Sequence, residues 1–501
     1  MSHSIDQTNR PPYGILAILM IGAFISFLNN TLLNVALPSI MADLHVDTAT
    51  VQWLTTGFML VNGILIPTTA FLIQKFSVRR LFLVSLGLFT IGTILAGFAP
   101  AFSILLTGRM IQASGSAIMM PLLMNVILVA FPIAKRGTAM GMLGLILMFA
   151  PAIGPTLSGW IIEHYDWRML FHFIGPVAVI IFFIGFFLLK DKKEKVNIRL
   201  DSFSVVLSTI GFGGLLYGFS MAGSVGWSSP QVYLTIVIGA LSIFWFVRRQ
   251  STLQQPMLNF KVFGYPMFTL AAIIMIVINI AMFSGFMLLP IYVQTLLGIS
   301  PMNAGLMLLP GALVNAAMSP ITGKLFDRYG GKILAISGLT IVLVTTYLLS
   351  NLTFETGYYY LMTVHAVRMF GLSMVMMPVQ TNGLNQLPAS FYPHGTAMNN
   401  TLNQVSAAIG TAVIITIMST REKLYTNQLI AEAGGQPSAE MQQQISMEAL
   451  LGGINDAFLI STFVIVIALI LAFFMKRATP SDDNIKIGTG KPIKSKSLET
   501  R

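Results

Sequence analysis

The chain has no cysteine among its 501 residues. That excludes disulfide staples, thiolate nucleophiles and Cys-based zinc sites. Charge is also scarce. Asp, Glu, Lys and Arg make up 9% of the residues, against ~25% in a soluble domain, so a water-soluble globule is excluded. Acid is scarcer still: all 18 Asp and Glu residues fall in loops, in tails or at the ends of apolar runs. No nucleotide-binding motif, clustered His/Asp/Glu metal set or activated nucleophile is present, so the sequence predicts no enzyme, no cofactor and no metal. The net charge of +11 does not point to nucleic acid, because the basic residues are spread over loops and tails rather than gathered in one domain. Residues 1–13 are polar, lack a small-residue cleavage site and run straight into an apolar stretch. No removable signal peptide is expected.

What the chain has in abundance is long apolar sequence. Fourteen stretches follow one another, each long enough for a hydrocarbon core about 30 Å thick, which takes ~20 helical residues. Lys and Arg fall in alternate connections, as cytoplasmic loops require. With both termini inside, the inner segments hold 24 of the 29 basic residues. The outer loops hold Arg168, Arg421 and Lys423, and the last two, Arg109 and Arg368, lie within spans. An odd number of spans would erase that asymmetry. The reading is an all-α integral membrane protein with 14 transmembrane helices, in the cell membrane, with both termini cytoplasmic.

Internal similarity divides the chain. Residues 109–125 read RMIQASGSAIMMPLLMN and residues 368–382 read RMFGLSMVMMPVQTN. Each begins Arg-Met, reaches Met-Met-Pro and places Asn four residues after the Pro. The second copy is two residues shorter between Arg and Pro. Upstream, FLIQKFSVR at 71–79 aligns with KLFDRYGGK at 324–332, setting Gln74 opposite Asp327. The expected organisation is a six-helix half (1–189), a basic linker (190–201), an inserted helix pair with its following loop (202–265), a second six-helix half (266–475) and a cytoplasmic tail (476–501). The second half carries the longest outer loop, 420–455, read as a turn and a short polar helix. The Lys-, Ser- and Gly-rich tail is expected to be disordered.

Several residues stand out chemically. A cation at helix centre costs ~2.5–3.5 kcal/mol on insertion scales and persists where it faces a cavity or a partner. Arg109 is therefore a candidate for transport or for clamping neighbouring carbonyls; for Arg368, with His365 one turn away, the clamp is favoured. The fifth span has Ala150, Pro151, Gly154, Pro155, Ser158 and Gly159. Its small residues four apart make one close-packing face, and its prolines remove backbone hydrogen bonds. They predict a bent helix against a partner that shifts. Asn29, Asn30, Thr31 and Asn34 in span 1, and Asn399, Asn400, Asn403 and Gln404 in span 13, either line a cavity or bind one another as interhelix glue. Asn29, Asn34 and Gln112 are the cavity candidates.

These motifs resemble the major facilitator superfamily, specifically its 14-helix drug:proton antiporter branch and, within it, exporters of the lincomycin-resistance type. GKLFDRYGGK at 323–332 matches the family's cytoplasmic loop signature. Arg109, Gln112 and Gly115 match its helix-4 signature, and APAIGPTLSGW at 150–160 its antiporter signature, with Ala150 and Ser158 replacing glycines. Two positions depart from the pattern. The first-half loop has Gln74 where the signature has Asp, so only Asp327, beside Arg328, is left to supply the family's charge latch. Asn29 stands where this branch commonly has a membrane Asp tied to proton or cation handling. The resemblance implies a major facilitator fold of two six-helix halves plus an inserted pair. It implies a secondary transporter exporting hydrophobic or amphipathic small molecules, with protons as coupling ion, the bilayer as surroundings and a functional monomer. Coupling and conformational change fall to Arg109, Asp327, Arg328, Pro151, Gly154, Pro155, Arg368 and His365. Two rivals remain: a carrier of the same fold that exports a metabolite, lipid or signalling molecule or acts without protons, and a membrane enzyme or non-transporting interaction protein.

Overall fold

The computed structural model describes residues 13–190, 198–432 and 438–478. These residues form α-helices joined by short turns, with no strand among them. The helices are α1 (Tyr13–Leu44), α2 (Thr48–Leu65), α3 (Thr69–Lys75), α4 (Val78–Gly97), α5 (Phe102–Ala130), α6 (Ile133–His164), α7 (Met169–Leu188), α8 (Ser202–Val225), α9 (Pro230–Thr252), α10 (Pro266–Ile291), α11 (Pro301–Tyr329), α12 (Gly331–Leu348), α13 (Tyr358–Ser373), α14 (Met376–Asn385), α15 (Tyr392–Glu432) and α16 (Ala439–Phe473). They make fourteen segments long and apolar enough to cross a membrane. Two of these segments are broken. A 3-10 turn at Ile66–Thr68 carrying Pro67 joins α2 to α3, and Met374 and Val375 separate α13 from α14.

Local chemistry sets the helix ends. Asp47 accepts the Thr50 N–H at 2.8 Å, and Ser77 accepts that of Arg80 at 3.3 Å, as N-cap side chains do. Proline opens α9 and α10, where its missing N–H costs nothing. Only Gly330, at φ +83°, separates α11 from α12. A side chain would be strained in that left-handed conformation.

The segments that carry the Arg-Met and Met-Met-Pro repeats, α5 and α13–α14, differ in continuity. Pro121 stays inside an unbroken α5, whereas Pro378 sits in the first turn of α14. Segment 420–455 is a further difference from the sequence reading. It is mostly helix, because α15 and α16 run on past the apolar region. The 41 residues of α15 extend about 60 Å at 1.5 Å per residue, roughly twice the hydrocarbon thickness. Arg421 and Tyr425 both reach Asp456, at 2.5 and 3.0 Å, and tie the two extensions together. Of the turn expected at 431–435, the first two residues end α15 instead; the remaining three and the start of the polar helix expected at 436–444 lie outside the described residues, as does the tail beyond Ala478.

The inserted pair is not an appendage on one half. Gly211 and Gly214 of α8 meet Gly239 of α9 almost backbone to backbone. The other side of α8 lies against α2, where Tyr217 stacks on Trp53 at 6.0 Å, and against α15. There the Trp227 indole, just past α8, donates to Thr416 Oγ1 at 2.6 Å. The pair thus straddles both halves.

The halves themselves meet most closely where α6 crosses α11. Gly137 and Gly141 of α6 pack on Gly323, Ser319 and Pro320 of α11, with backbone on backbone. A methyl on Gly323 would collide with the Gly137 carbonyl, and overpacking a tight contact costs ~1–3 kcal/mol. Gly323→Ala should therefore lower the thermal-unfolding midpoint of the purified protein by a few degrees, whereas Gly159→Ala, which meets open space, should leave it unchanged. Equal midpoints would refute the close crossing.

Candidate functional site: an amide-lined cavity between the halves

A cavity of about 320 Å³ lies mid-bundle, lined from both halves. Its apolar walls include Phe27, Phe58, Met59, Met120 and Leu147. Its polar groups are Ser26, Asn30, Asn62, Ser116, Asn400, Asn403 and Gln404. No Asp, Glu, His, Lys or Arg lines it. The candidates Asn29 and Gln112 are not on its wall. Asn29 is buried, with its amide nitrogen unpartnered among the described residues. Its neighbour Asn30 faces the cavity instead. Gln112 is fully buried and donates to Thr93 Oγ1 at 2.7 Å while accepting from Arg109. The side chains of Asn34 and Pro155 lie outside the described residues.

Arg109 sits one layer behind the wall. Its guanidinium donates to Gln112 Oε1 at 3.0 Å, to Asn30 Oδ1 at 2.9 Å and to the Leu54 carbonyl at 3.4 Å. It lies 4.3 Å over the Phe58 ring. All its partners are neutral, and two of them, Asn30 and Phe58, touch the cavity. The cavity therefore feels a nearby positive charge with no compensating carboxylate on its wall, a field that disfavours cations. Arg368 is the counterpart in the second half. It donates to Thr346 Oγ1 at 3.2 Å, to the Ala281 carbonyl at 3.3 Å and to Ser284 Oγ at 3.5 Å. It binds a threonine on the third segment of its own half directly, whereas in the first half Gln112, a partner of Arg109, makes the corresponding bond to Thr93. Arg368 does not reach the cavity, and neither does His365, whose Nδ1 is buried without a partner among the described residues.

The two ends of the bundle differ. At the end rich in Lys and Arg, Asp327 of α11 takes three hydrogen bonds from the start of α6: Gly137 N and Thr138 N at 2.8 Å and Thr138 Oγ1 at 2.6 Å. Its own backbone carbonyl accepts from Arg477 at 2.7 Å. The Arg328 guanidinium lies 5.2 Å from the Tyr329 ring. Arg136, only 5% exposed, reaches Asn385 Oδ1 at 3.1 Å and the Tyr392 hydroxyl at 2.8 Å. Gln74 contacts His394 at 3.2 Å. The hydrogen bonds described between the halves cluster at this end and on the cavity floor, where Asn400 donates to Met124 Sδ at 3.1 Å.

At the opposite end the described ion pairs each stay within one half, Arg421 with Asp456 in the second and those of Arg168 in the first. Arg168 binds Asp43 at 2.8 Å and Asp166 at 3.3 Å, and Asp47 caps α2. The Pro and small-residue stripe of α6 faces α1 of the same half. Thr31 donates to the Ala150 carbonyl at 3.3 Å, Ser158 donates to that of Leu32 at 2.7 Å, and Thr31 fills the space beside Gly154. The expected close partner is present, but it is not the other half. That contact belongs to Gly137 and Gly141, earlier on the same helix.

Sequence reasoning missed Arg136, which looked like one more loop cation, and Asn62, whose signal was an amide deep in an apolar span.

The sequence profile of the Major Facilitator Superfamily matches residues 19–411. The chain belongs to that superfamily. It is 45% identical to the MFS-type transporter YhcA of Bacillus subtilis, over 95% of each chain. It is 44% identical to the lincomycin resistance protein LmrB of Bacillus subtilis, over 92% of this chain and 95% of that one. The multidrug export protein EmrB of Haemophilus influenzae is 26% identical, over 91% and 94%. Among solved structures, the human organic anion transporter MFSD10 shares the fold at a TM-score of 0.63 and 13% identity, covering 91% of this chain and all of that one. The chain is thus a multi-pass membrane transporter of the major facilitator fold, with two six-helix halves and an inserted pair.

Proposed function

We propose that this chain is a secondary exporter of hydrophobic or amphipathic small molecules, driven by proton antiport and working as a monomer in the cell membrane. The observation that carries the reading is the mid-bundle cavity. It is built from both halves of one chain, with aromatic and Met walls and convergent amides, the pattern of a small-molecule site. The names of LmrB and EmrB support drugs as the cargo class. The Lys/Arg-rich end is assigned to the cytoplasm by the positive-inside rule, which puts both termini there. The hydrogen bonds joining the halves at that end then hold the carrier closed inward, so this conformation is the outward-facing member of an alternating-access pair. Cargo selection follows from the wall. With Arg109 behind it and no carboxylate on it, the cavity favours neutral amphiphiles over lipophilic cations.

One observation favours a second reading, export without proton coupling: Asn29 and Asn30 put amides, not a carboxylate, in the first span. Proteoliposomes with an acid interior separate the two. Adding a neutral amphipathic drug should collapse the pH gradient several-fold faster than adding a lipophilic cation of similar size. Drug flux with no effect on the gradient would remove proton antiport, and faster collapse with the cation would remove the cargo assignment.

A further inference from the structure

We propose that the inserted helix pair carries a site for an anionic phospholipid, in the leaflet at the Lys/Arg-rich end of the bundle. The site is a groove of about 550 Å³ between the first turns of α8 and the last turns of α9, lined by Phe203, Leu207, Trp245, Arg248, Arg249 and Thr252. It opens on the face the pair turns away from the rest of the protein. Phe203 is 55% exposed and Trp245 59%. The 23 residues of α9 span about 35 Å. Its last turn therefore emerges at head-group level, while Trp245 and Leu207 lie at the top of the acyl region. Lipid is the medium this face meets, so the occupant is fixed by which lipid the groove prefers.

The charges decide that preference. Two arginines line the groove, but they are not equivalent. Arg249 is held by Asp201, with Nε to Oδ2 at 2.6 Å and an N–H to Oδ1 at 2.9 Å, and lies 5.0 Å from the Phe203 ring. The Arg249 guanidinium keeps the Asp201 carboxyl below the usual carboxylate range, so this pair stays ionised and internally neutral. Arg248 has no carboxylate partner among the described residues and is exposed. It is left as a cation at the mouth of an apolar groove. Basic pockets between membrane helices at head-group depth bind anionic head groups, and Trp is enriched at the membrane–water interface. The phosphate sits on Arg248, and an acyl chain runs over Trp245 and Leu207.

Trp245 is itself the probe. The full-length protein would be reconstituted in phosphatidylcholine vesicles. These would contain a minor fraction of either phosphatidylglycerol or phosphatidylcholine brominated near the head-group end of the acyl chain. Subtracting the signal of Trp245→Phe isolates the contribution of this indole from those of the other four tryptophans. The expected result is at least threefold stronger quenching by the brominated anionic lipid at equal mole fraction. The preference should weaken in high salt, be lost in Arg248→Gln and be kept in Arg248→Lys. The lysine variant separates charge from side-chain shape and guards against misfolding of the glutamine variant. Equal quenching by both lipids in the unmodified protein would overturn the site, as would an undiminished preference in Arg248→Gln. Loss of quenching by either lipid would also overturn it, since a second copy of the chain would then be covering the groove.

Discussion

Replacing Asp327 with alanine is expected to swing the carrier toward the state open at its basic end, and to cut export at least tenfold while the protein still inserts and folds. One carboxylate holds two backbone N–H groups and a hydroxyl of α6 at 2.6–2.8 Å. Hydrogen bonds to a charged group contribute about 1.5–3 kcal/mol each. Because the side chain is half-buried and water replaces part of what is lost, the net bias is on the order of 3 kcal/mol, about two powers of ten in the equilibrium between states. Thr138→Val removes only the hydroxyl bond and should move the equilibrium by less than tenfold. The absence of native cysteine makes the check direct. Met120→Cys places a single thiol on the cavity wall. In the parent protein a membrane-impermeant maleimide should reach it only from the side opposite the basic loops. With Asp327→Ala added, labelling should come mainly from the basic side. Unchanged sidedness in the double variant would mean that Asp327 is not the latch.

That latch was half legible in the sequence. The GKLFDRYGGK motif marked Asp327, and Gln74 at the aligned position left it alone in the role. What pairing could not supply was its partner, a pair of backbone N–H groups that no side-chain pattern records. The same limit applies elsewhere. Hydropathy gave the fourteen spans, because twenty apolar residues have few alternatives to a membrane helix. It did not distinguish Asn29 from Asn30, because which of two adjacent amides faces the cavity depends on a 100° rotation set by neighbouring helices. The two Met-Met-Pro copies look alike, yet the chain breaks only before the second. A proline in a membrane helix is tolerated or not according to what surrounding groups re-satisfy. Segment 420–455 read as a loop because it is polar. Its Glu, Gln, Lys and Ala are good helix formers, and the packing of α15 on α16 continues past the apolar region to the Asp456 cluster.

Arg109→Ala should abolish export, a loss of 50-fold or more, with normal expression and a folded protein. Arg109 is the group on which the wall of the cavity depends. Removing it leaves Asn30 Oδ1 and Gln112 Oε1 without their donor, and an unsatisfied buried polar group costs about 1–3 kcal/mol. Asn30 then has no reason to hold its orientation at the wall, and water fills the space beside Phe58. Lysine keeps the charge but presents a point rather than a fork. It cannot serve Asn30, Gln112 and the Leu54 carbonyl at once, so Arg109→Lys should fall between, with roughly a tenfold loss. If Arg109 acts on cargo through Asn30, the two positions are coupled. Asn30→Ala alone should then reproduce much of the defect, and the double variant should be far less damaged than the product of the singles. Arg368→Ala is the contrast. Its partners lie on α10 and α12, away from the cavity, so it should lower the unfolding midpoint more than it changes cargo affinity. Drug binding to purified protein, set beside thermal unfolding of each variant, separates these outcomes. Full export by Arg109→Ala would show that the wall keeps its shape without the guanidinium, and multiplicative losses at Arg109 and Asn30 would show that the arginine acts by another route.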